Sequence, residues 1–424
     1  NREDSPDFIF YEGPPSANGK PGIHHVMART IKDAFCRYKT LKGYNVKRKA
    51  GWDTHGLPVE LGVEKELGIS KDDIGDKISI SEYNKACKKA VMKYTSDWEL
   101  LTESMGYWID LSDPYVTFKS KYMETVWWLI KNIFEKNLLY KGYTVQPYSP
   151  AAGSGLSSHE LNQPGAYREI SDTSVIAQFK CIDDNKSDKF GGMFPFYFLA
   201  WTTTPWTLPS NTALTLGEKI EYSFVKTFNQ YTKEKITVVL ATSLIKKVFS
   251  KNFFNVEDEN DLDIFKVSDS KIPYYITSSF KGVDFENLKY ERIWDEAPLP
   301  IDNPENAFRV ILGDFVTTED GTGIVHTAPT FGADDYKAAK SAKPEVPPLQ
   351  VLDKNGNKIP LVDLKGKFID DIGIISGKYV KNEYYKEDKV PEKSVDVEIA
   401  IKLKEKNLAF KVERYSHSYP HCWR

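Results

Sequence analysis

The chain has 424 residues, of which 41% are hydrophobic and 28% charged, and its formal net charge is −3. This composition is typical of a globular protein of roughly two to four domains, and the charge disfavours a nonspecific nucleic-acid-binding module. No apolar run reaches the ~18 residues of a membrane span, and the polar start NREDSPD is no signal peptide. The four cysteines have no CxxC spacing, so we expect a reducing cytoplasm and no disulfide framework.

The first 160 residues alternate strand-like and helical patterns, which predicts an α/β fold with a parallel sheet and helices on both faces. Apolar residues from Ile23 to Leu41 recur at helical spacing, so we expect a helix with one buried face and Gly43 as its C-cap. The other elements predicted here are strands over 7–13, 44–53 and 142–150 and helices over 81–105 and 119–141.

From residue 172 the pattern changes to short strands separated by turns rich in Gly, Asn and Asp, which predicts a β-rich inserted domain. Its strands are expected near 173–181, 195–203, 222–228, 236–242, 308–316 and 321–328. We therefore divide the chain into 1–160, 172–405 and a return segment, 406–424. Because it starts at Asn1 and ends without a tail-like composition, we expect it to be a piece of a longer protein.

The stretch GPPSANGKPGIHH places a rigid turn and two adjacent histidines, His24 and His25, at the start of the first predicted helix. Small residues such as Gly19 let a flat ligand approach the backbone, and free N–H groups at a helix start attract anions. Imidazoles there could donate hydrogen bonds to phosphate oxygens. Metal ligands or ordinary polar caps are alternatives, although neighbours on a helix do not share a face.

A second polar loop, AGWDTHGLPVE, places Asp53 and His55 directly after a predicted strand. Ligands of open α/β sheets bind at the carboxyl ends of strands, so Asp53 could anchor a substrate ammonium group. The alternative is an Asx turn, in which Asp53 only caps its own loop.

Taken together, GPPSANG, GIHH and GWDTHGLPVE resemble the beginning of class I aminoacyl-tRNA synthetases, and among them the isoleucyl enzymes. AWTTTPWTLPSN and GTGIVHTAPTFGADDY are similar to the same family's editing domain, connective peptide 1, so the resemblance runs through essentially the whole chain. It implies the first half of a Rossmann-type nucleotide-binding domain, followed by the inserted editing domain.

The resemblance implies that ATP and isoleucine react, with Mg²⁺ assisting, to give isoleucyl-adenylate, and that isoleucine is then transferred to tRNA(Ile). It assigns ATP binding to Asn18, Gly19, Gly22, His24 and His25, with both histidines catalytic, and amino-acid binding to Pro14, Asp53 and His55. The family signature is His–x–Gly–His, whereas this chain has Gly–Ile–His–His, so either His24 recovers the first histidine's contacts or ATP sits differently. No Lys-rich second signature loop occurs before Arg424, so this piece alone should adenylate poorly.

The same resemblance assigns an editing site for mischarged valine. A hydrophobic pocket rejects a substrate that lacks one methylene by only ~1–3 kcal/mol, and the isoleucyl enzymes are the standard example. Asp335 would hold the substrate's α-ammonium, and the threonines and His326 would bound a pocket that excludes isoleucine. Plain β propensity is the alternative for the threonine run, and Asp334 is the weaker carboxylate. The implied editing residues are Thr202, Thr203, Thr204, Asn211, His326 and Asp335.

We predict no zinc, because Ser149 and Ala152 stand where relatives have cysteines and Cys422 alone cannot complete a tetrahedral site. We also expect a monomer that does not bind membranes. The alternative functions are a valyl or leucyl synthetase, an editing-only aminoacyl-tRNA deacylase, a small-molecule adenylyltransferase and a nonenzymatic RNA-binding module.

Overall fold

The computed structural model describes residues 2–11, 13–142, 144–150, 152–182 and 188–421. The chain divides into two compact units, 1–142 (unit 1) and 143–424 (unit 2). Within the described ranges, no helix is both long enough and apolar enough to cross a membrane. The predicted division at 1–160, 172–405 and 406–424 stays a prediction.

Unit 1 is mostly helical. Its β1 and β2 pair in parallel, from Lys49↔Asp110 to Trp52↔Val116, and no further strand joins them among the described residues. The predicted strand over 7–13 is reduced to a single parallel bridge between Asp7 and Asn45. The elements are α1 (Ile23–Leu41), β1 (Lys49–Trp52), α2 (Leu57–Leu67), α3 (Ile80–Val91), α4 (Thr95–Ser104), β2 (Asp110–Val116) and α5 (Ser120–Glu135).

Helix α1 forms where its periodicity predicts, and Gly43 follows its end with a φ of +97°. The expected burial of its apolar face is wrong, because Ile23 is 74% exposed and Met27 61%. Unit 1 instead covers the side of the helix that carries Arg29 and Cys36, which are both buried. Periodicity identifies an amphipathic helix but does not say which face its neighbours cover.

The predicted helix over 81–105 is two helices, because α3 ends at Val91 and α4 begins at Thr95. In the break, the backbone N–H of Tyr94 bonds to the carbonyl of Ala17. The helix predicted over 119–141 ends at Glu135, and Asn137 adopts a φ of +56° soon after. The strand predicted over 142–150 shrinks to two residues.

Unit 2 is β-rich, as predicted, and all six expected strands are present with shifted ends. Its elements are β3 (Tyr148–Ser149), β4 (Ser154–Gly155), α6 (Ser158–Leu161), β5 (Tyr167–Lys180), β6 (Tyr197–Thr202), β7 (Ala213–Leu216), β8 (Glu221–Phe228), β9 (Lys235–Ala241), α7 (Ile245–Val248), β10 (Phe253–Asn255), β11 (Ile272–Lys281), β12 (Arg309–Leu312), β13 (Ile324–Thr327), α8 (Ala333–Ser341), β14 (Val351–Leu352), β15 (Lys358–Ile359), α9 (Val395–Glu405) and β16 (Ala409–Pro420).

The main sheet of unit 2 has ten strands, in the order β10-β11-β8-β9-β6-β13-β7-β12, with β5 joining β6 to β16. Its β5 and β16 form a long antiparallel ribbon in which Tyr167 pairs with Pro420 and Ala177 with Ala409. One face of the sheet buries an aromatic cluster in which Phe190, Phe196 and Phe224 are at most 1% exposed. Parallel pairing in both units and helices beside the sheet confirm the α/β class.

Candidate functional site

In unit 1, the turn that precedes α1 is held by a buried indole. Trp98, on α4 and 1% exposed, donates its Nε1–H to the carbonyl of Gly19 at 2.8 Å. Ala17, which is fully buried, packs with Trp98 and accepts the N–H of Tyr94. These contacts fix the backbone around Asn18 and Gly19, the residues predicted to approach ATP.

His25 closes the first turn of α1, because its Nδ1 lies 2.9 Å from the backbone nitrogen of Gly22. A backbone N–H can only donate, so Nδ1 is the acceptor and the neutral ring carries its proton on Nε2. Burial, followed by the charges of His24 and Arg29, lowers the pKa of His25. The neutral tautomer therefore keeps an N–H donor on Nε2 that is suited to a phosphate oxygen.

His24 is exposed and lies against the His25 ring, with 3.7 Å between ring centroids. A Cβ atom placed on Gly22 would be 3.0 Å from His24 Cε1, so the His24 ring occupies the space beside position 22. That position carries the first histidine in the family signature. Whether His24 recovers that histidine's contacts stays a prediction.

The loop that carries Asp53 contacts the same turn before α1. The backbone N–H of Asp53 bonds to the carbonyl of Pro15 at 2.9 Å, which brings Asp53 beside Pro14. Its Oδ1 accepts the N–H of His55 at a long 3.4 Å, so the Asx-turn alternative is present but weak. Thr117, at the end of β2, fixes the loop by accepting the N–H of Thr54 and contacting His55 Nδ1 at 3.0 Å.

In unit 2, the threonine run forms a turn after β6. Thr202 Oγ1 accepts the backbone N–H of Thr204 at 3.1 Å, so Thr202 shapes the turn. The 3-10 turn Pro205–Ser210 follows, and Thr207 within it donates to the carbonyl of Thr204 at 2.9 Å. Thr203 makes no hydrogen bond with the described residues, which leaves its hydroxyl available to a ligand.

His326, on β13, is buried and is bound through both ring nitrogens. Asn211 Nδ2 lies 3.0 Å from Nδ1 and 2.8 Å from the carbonyl of Ala213, while Asn211 Oδ1 accepts the hydroxyl of Tyr290 at 2.7 Å. The amide nitrogen can only donate, so the His326 proton is on Nε2, which donates to Thr207 Oγ1 at 2.8 Å. Burial lowers the pKa of His326 to about 4. The ring is therefore neutral. Because both of its nitrogens are hydrogen-bonded, it is suited to lining a site and not to acting as a base.

Asp335 lies in the first turn of α8, which the loop after β13 leads into. Its Oδ2 accepts the backbone N–H of Ala328 at 2.8 Å. Burial, with a smaller contribution from Asp334, raises the pKa of Asp335 to about 6. The same loop meets the threonine turn, because the Trp206 and Phe331 rings lie 4.9 Å apart.

Sequence reasoning missed four residues that hold these sites together: Trp98 and Thr117 in unit 1, and Thr207 and Tyr290 in unit 2. Trp98 lies within the helix predicted over 81–105, and no motif singles it out. Thr207 lies inside the quoted AWTTTPWTLPSN stretch, so its hydroxyl could have been singled out there. Neither Thr117 nor Tyr290 lies in any pattern.

Within the ranges that the structure describes, no group of three or more His, Cys, Asp or Glu side chains is arranged to hold a metal ion. Cys422 lies outside these ranges, so the expected absence of zinc stays a prediction.

Comparison with known proteins shows which family the chain resembles. Residues 1–292 match the family model of tRNA synthetases class I (I, L, M and V). The chain is 55% identical to an isoleucine–tRNA ligase of Bacteroides fragilis, across all of this chain and 37% of that protein. It is 56% identical to the enzyme of that name from Cytophaga hutchinsonii, across 100% of the chain and 38% of the relative.

The chain therefore spans somewhat more than a third of the length of the curated relatives it matches. A crystal structure of the P. knowlesi cytosolic leucyl-tRNA synthetase editing domain aligns with a TM-score of 0.36 and 10% identity, over 58% of this chain and 97% of its own. The family model alone covers well over half of the chain. The chain belongs to the class I tRNA synthetases of the isoleucine, leucine, methionine and valine group.

Proposed function

We propose that the chain is the part of an isoleucine–tRNA ligase that activates isoleucine and removes mischarged valine. The observation that carries the proposal is the convergence of the two polar loops of unit 1 on one turn, since Pro15 binds the Asp53 loop and Gly19 binds Trp98 beneath His25. The two curated relatives described above, which match over the whole chain, are both named isoleucine–tRNA ligase.

In the activation step, an oxygen of the isoleucine carboxylate attacks the α-phosphorus of ATP. The bond from that phosphorus to the bridging oxygen breaks, and pyrophosphate leaves with the electron pair. Asp53 binds the α-ammonium and orients the carboxylate, while His25 donates its Nε2–H to a phosphate oxygen as charge develops there. Gly22, Gly19 and Asn18 keep the backbone close to the nucleotide, and His24 and His55 complete the two sides of the site.

Mg²⁺ neutralises charge on the triphosphate when it is bound. Mg²⁺ is usually held by substrate phosphates together with one or two carboxylates, so the phosphates of ATP would be its main ligands here. The activated isoleucine is then transferred to tRNA(Ile). We expect the enzyme to act in the cytoplasm as a monomer.

In the editing step, water attacks the ester carbonyl of valyl-tRNA, and the ribose oxygen of the tRNA leaves. Asp335 binds the α-ammonium that every aminoacyl ester presents, and Thr203 offers its hydroxyl toward the substrate. The pocket wall that admits the valine side chain and excludes the larger isoleucine side chain is held by His326, Asn211 and Thr204. Since both nitrogens of His326 are engaged, this residue sets shape and polarity and takes no proton from the water.

The test uses an enzyme of the relatives' full length that contains this chain. It should exchange pyrophosphate into ATP with isoleucine, and hydrolyse Val-tRNA(Ile) much faster than Ile-tRNA(Ile). Exchange that depends on leucine or methionine but not on isoleucine would refute the assignment. Hydrolysis without any amino-acid-dependent exchange would instead indicate an editing-only deacylase.

A further inference from the structure

One buried carboxylate in unit 2 has no role in either reaction as derived above. Asp396 lies in the first turn of α9 and is 3% exposed. Its Oδ1 accepts the backbone N–H of Trp206 at 2.9 Å. Trp206 is the second residue of the 3-10 turn that carries Thr207, so Asp396 touches the backbone of the threonine turn directly.

The other oxygen of Asp396 is held by a lysine. Lys381 Nζ lies 3.3 Å from Asp396 Oδ2 and 2.9 Å from Asp172 Oδ2, and its side chain is only 14% exposed. His417 Nε2 is 3.4 Å from Asp172 Oδ2. Asp172 is on β5 and His417 on β16, so the cluster connects the long ribbon to the threonine turn through α9.

A buried and a half-buried carboxylate that share one ammonium group constrain geometry more than a single hydrogen bond does. A buried peptide N–H needs an acceptor, but a neutral one would satisfy it. A buried charge pair is weak evidence for stability, because the cost of desolvation offsets the attraction. Its effect here is directional: Lys381 fixes Oδ2, so Oδ1 has one position relative to the ribbon, and the Trp206 N–H follows it.

We propose that Asp396 is a positioning residue for the editing site, which sets the threonine turn against His326 by holding the Trp206 backbone in a place defined by Lys381 and Asp172. This inference rests on the proposed function of unit 2. It requires that Asp396 affects the rate of ester hydrolysis rather than the affinity for the ester, because the groups that contact the substrate are unchanged. Removing Asp396 frees the turn, and a small displacement of aligned groups costs rate steeply.

The experiment compares Asp396→Ala, Asp396→Asn and Lys381→Met with wild type in the full-length enzyme. The matched control is Glu398→Gln, on the same helix, which loses its ion pair with Lys378 and does not contact the threonine turn. Hydrolysis of Val-tRNA(Ile) gives kcat and KM, isoleucine-dependent pyrophosphate exchange monitors unit 1, and thermal unfolding monitors stability. All rates are measured well below each variant's unfolding midpoint.

We expect Asp396→Ala to lower kcat for hydrolysis about tenfold with little change in KM or in pyrophosphate exchange. Asp396→Asn should restore part of the rate, since its amide oxygen can still accept the Trp206 N–H, and Lys381→Met should lower kcat because Oδ2 is released. Glu398→Gln should behave as wild type.

A variant with a lower unfolding midpoint but a wild-type kcat would overturn the proposal and leave Asp396 as a stabilising group only. If Asp396→Ala does not fold, Asp396→Asn and Lys381→Met decide, and wild-type kcat in both would overturn it equally. Failure of the proposed function is distinguishable, because wild type itself would then not hydrolyse Val-tRNA(Ile), and both inferences would fall together.

Discussion

Tyr290 lies 79 residues from Asn211 in the chain, yet its hydroxyl donates to the Asn211 amide oxygen. The Ala213 carbonyl can only accept, so it orients the amide nitrogen Nδ2, and Tyr290 holds the oxygen Oδ1 from the other side. The amide thus presents Nδ2 to His326, and the histidine proton goes to Nε2 and toward Thr207. A buried phenol therefore helps to hold the tautomer of a histidine to which it is not hydrogen-bonded.

Replacing Tyr290 with Phe should both destabilise unit 2 and slow the hydrolysis of Val-tRNA. The loss of the donor leaves Asn211 Oδ1 buried and unpaired, which costs about 1–3 kcal/mol in the free energy of unfolding. The Ala213 carbonyl still accepts from Nδ2, but the amide oxygen has lost its partner, so the Asn211 contact with His326 is held less rigidly. Thermal unfolding and the hydrolysis rate measure the two effects.

The control is Tyr222→Phe, which removes a second buried hydroxyl in the same unit, bonded to Gly217 N and Gly323 O. It should lower the unfolding midpoint without slowing hydrolysis. Equal loss of hydrolysis in both variants would show that the rate follows stability and not the orientation of Asn211.

We expect Asp335 to give the proposed editing reaction a dependence on pH. Its pKa is raised, so below about pH 6 the free enzyme carries a neutral carboxyl that cannot pair with an ammonium group, and above it the carboxylate is ionised. We expect kcat/KM for Val-tRNA hydrolysis to fall about tenfold per pH unit below this value, because kcat/KM reports the free enzyme.

Two variants test the assignment of that pH dependence. Asp335→Asn should be slow and lack this limb of the profile between pH 5 and 7. Asp334→Asn removes the neighbouring negative charge, so the limb should move to lower pH. An unchanged profile in Asp335→Asn would assign the titration to another group.

At the scale of elements, the turn before α1 depends on a helix far along the chain. α4 carries Trp98, which bonds to the Gly19 carbonyl. α3 ends before Tyr94, so the backbone N–H of Tyr94 bonds to the carbonyl of Ala17. The break between these helices therefore has a reason that no local pattern contains. A continuous helix over 81–105 would leave Tyr94 N–H committed to its own helix.

Trp98→Phe should raise the KM for ATP about two- to tenfold, since one hydrogen bond of ~0.5–1.5 kcal/mol to the Gly19 carbonyl is lost and the turn is freed. Trp128→Phe, on the exposed face of α5, is the control and should leave that KM unchanged. Pyrophosphate exchange at varied ATP measures both. A wild-type KM in Trp98→Phe would mean that packing of the ring alone holds the turn.

Local patterns predicted most elements, and side-chain partners account for what they missed. The helix from Ile23 to Leu41 and the strands of unit 2 follow from residue spacing, as does the clustering of polar motifs after strands. The strand over 7–13 and the buried face of α1 failed, because pairing and coverage depend on which neighbours lie alongside. Tyr290 and Thr117 are single residues, and only the fold brings them to their partners.

At the scale of the molecule, each candidate site is assembled from the side chains of one unit. The hydrogen bonds described above for the activation site join residues of unit 1, and those described for the editing site join residues of unit 2. We therefore expect Asp53→Ala to weaken isoleucine binding by about 1.5–3 kcal/mol without changing the hydrolysis of Val-tRNA. Asp335→Ala should have the converse effect.

The two changes should also combine independently in the double variant, as changes at unconnected sites do. Amino-acid binding and ester hydrolysis are each measured in all four enzymes. Asp113→Ala, an exposed carboxylate of unit 1, is the control for Asp53. A double variant that loses much more than the product of the single losses would show that the two sites are coupled.

The order of donors around His326 also restricts how this site can change in evolution. Asp has the size and shape of Asn, but at position 211 it could not donate to His326, so the imidazole would have to turn its proton toward Asp and accept from Thr207. Thr207 would then give up the carbonyl of Thr204, and the carboxylate would face the carbonyl of Ala213. Tolerance at this position is therefore decided by the direction of hydrogen bonding, and the most conservative substitution by size is among the least compatible.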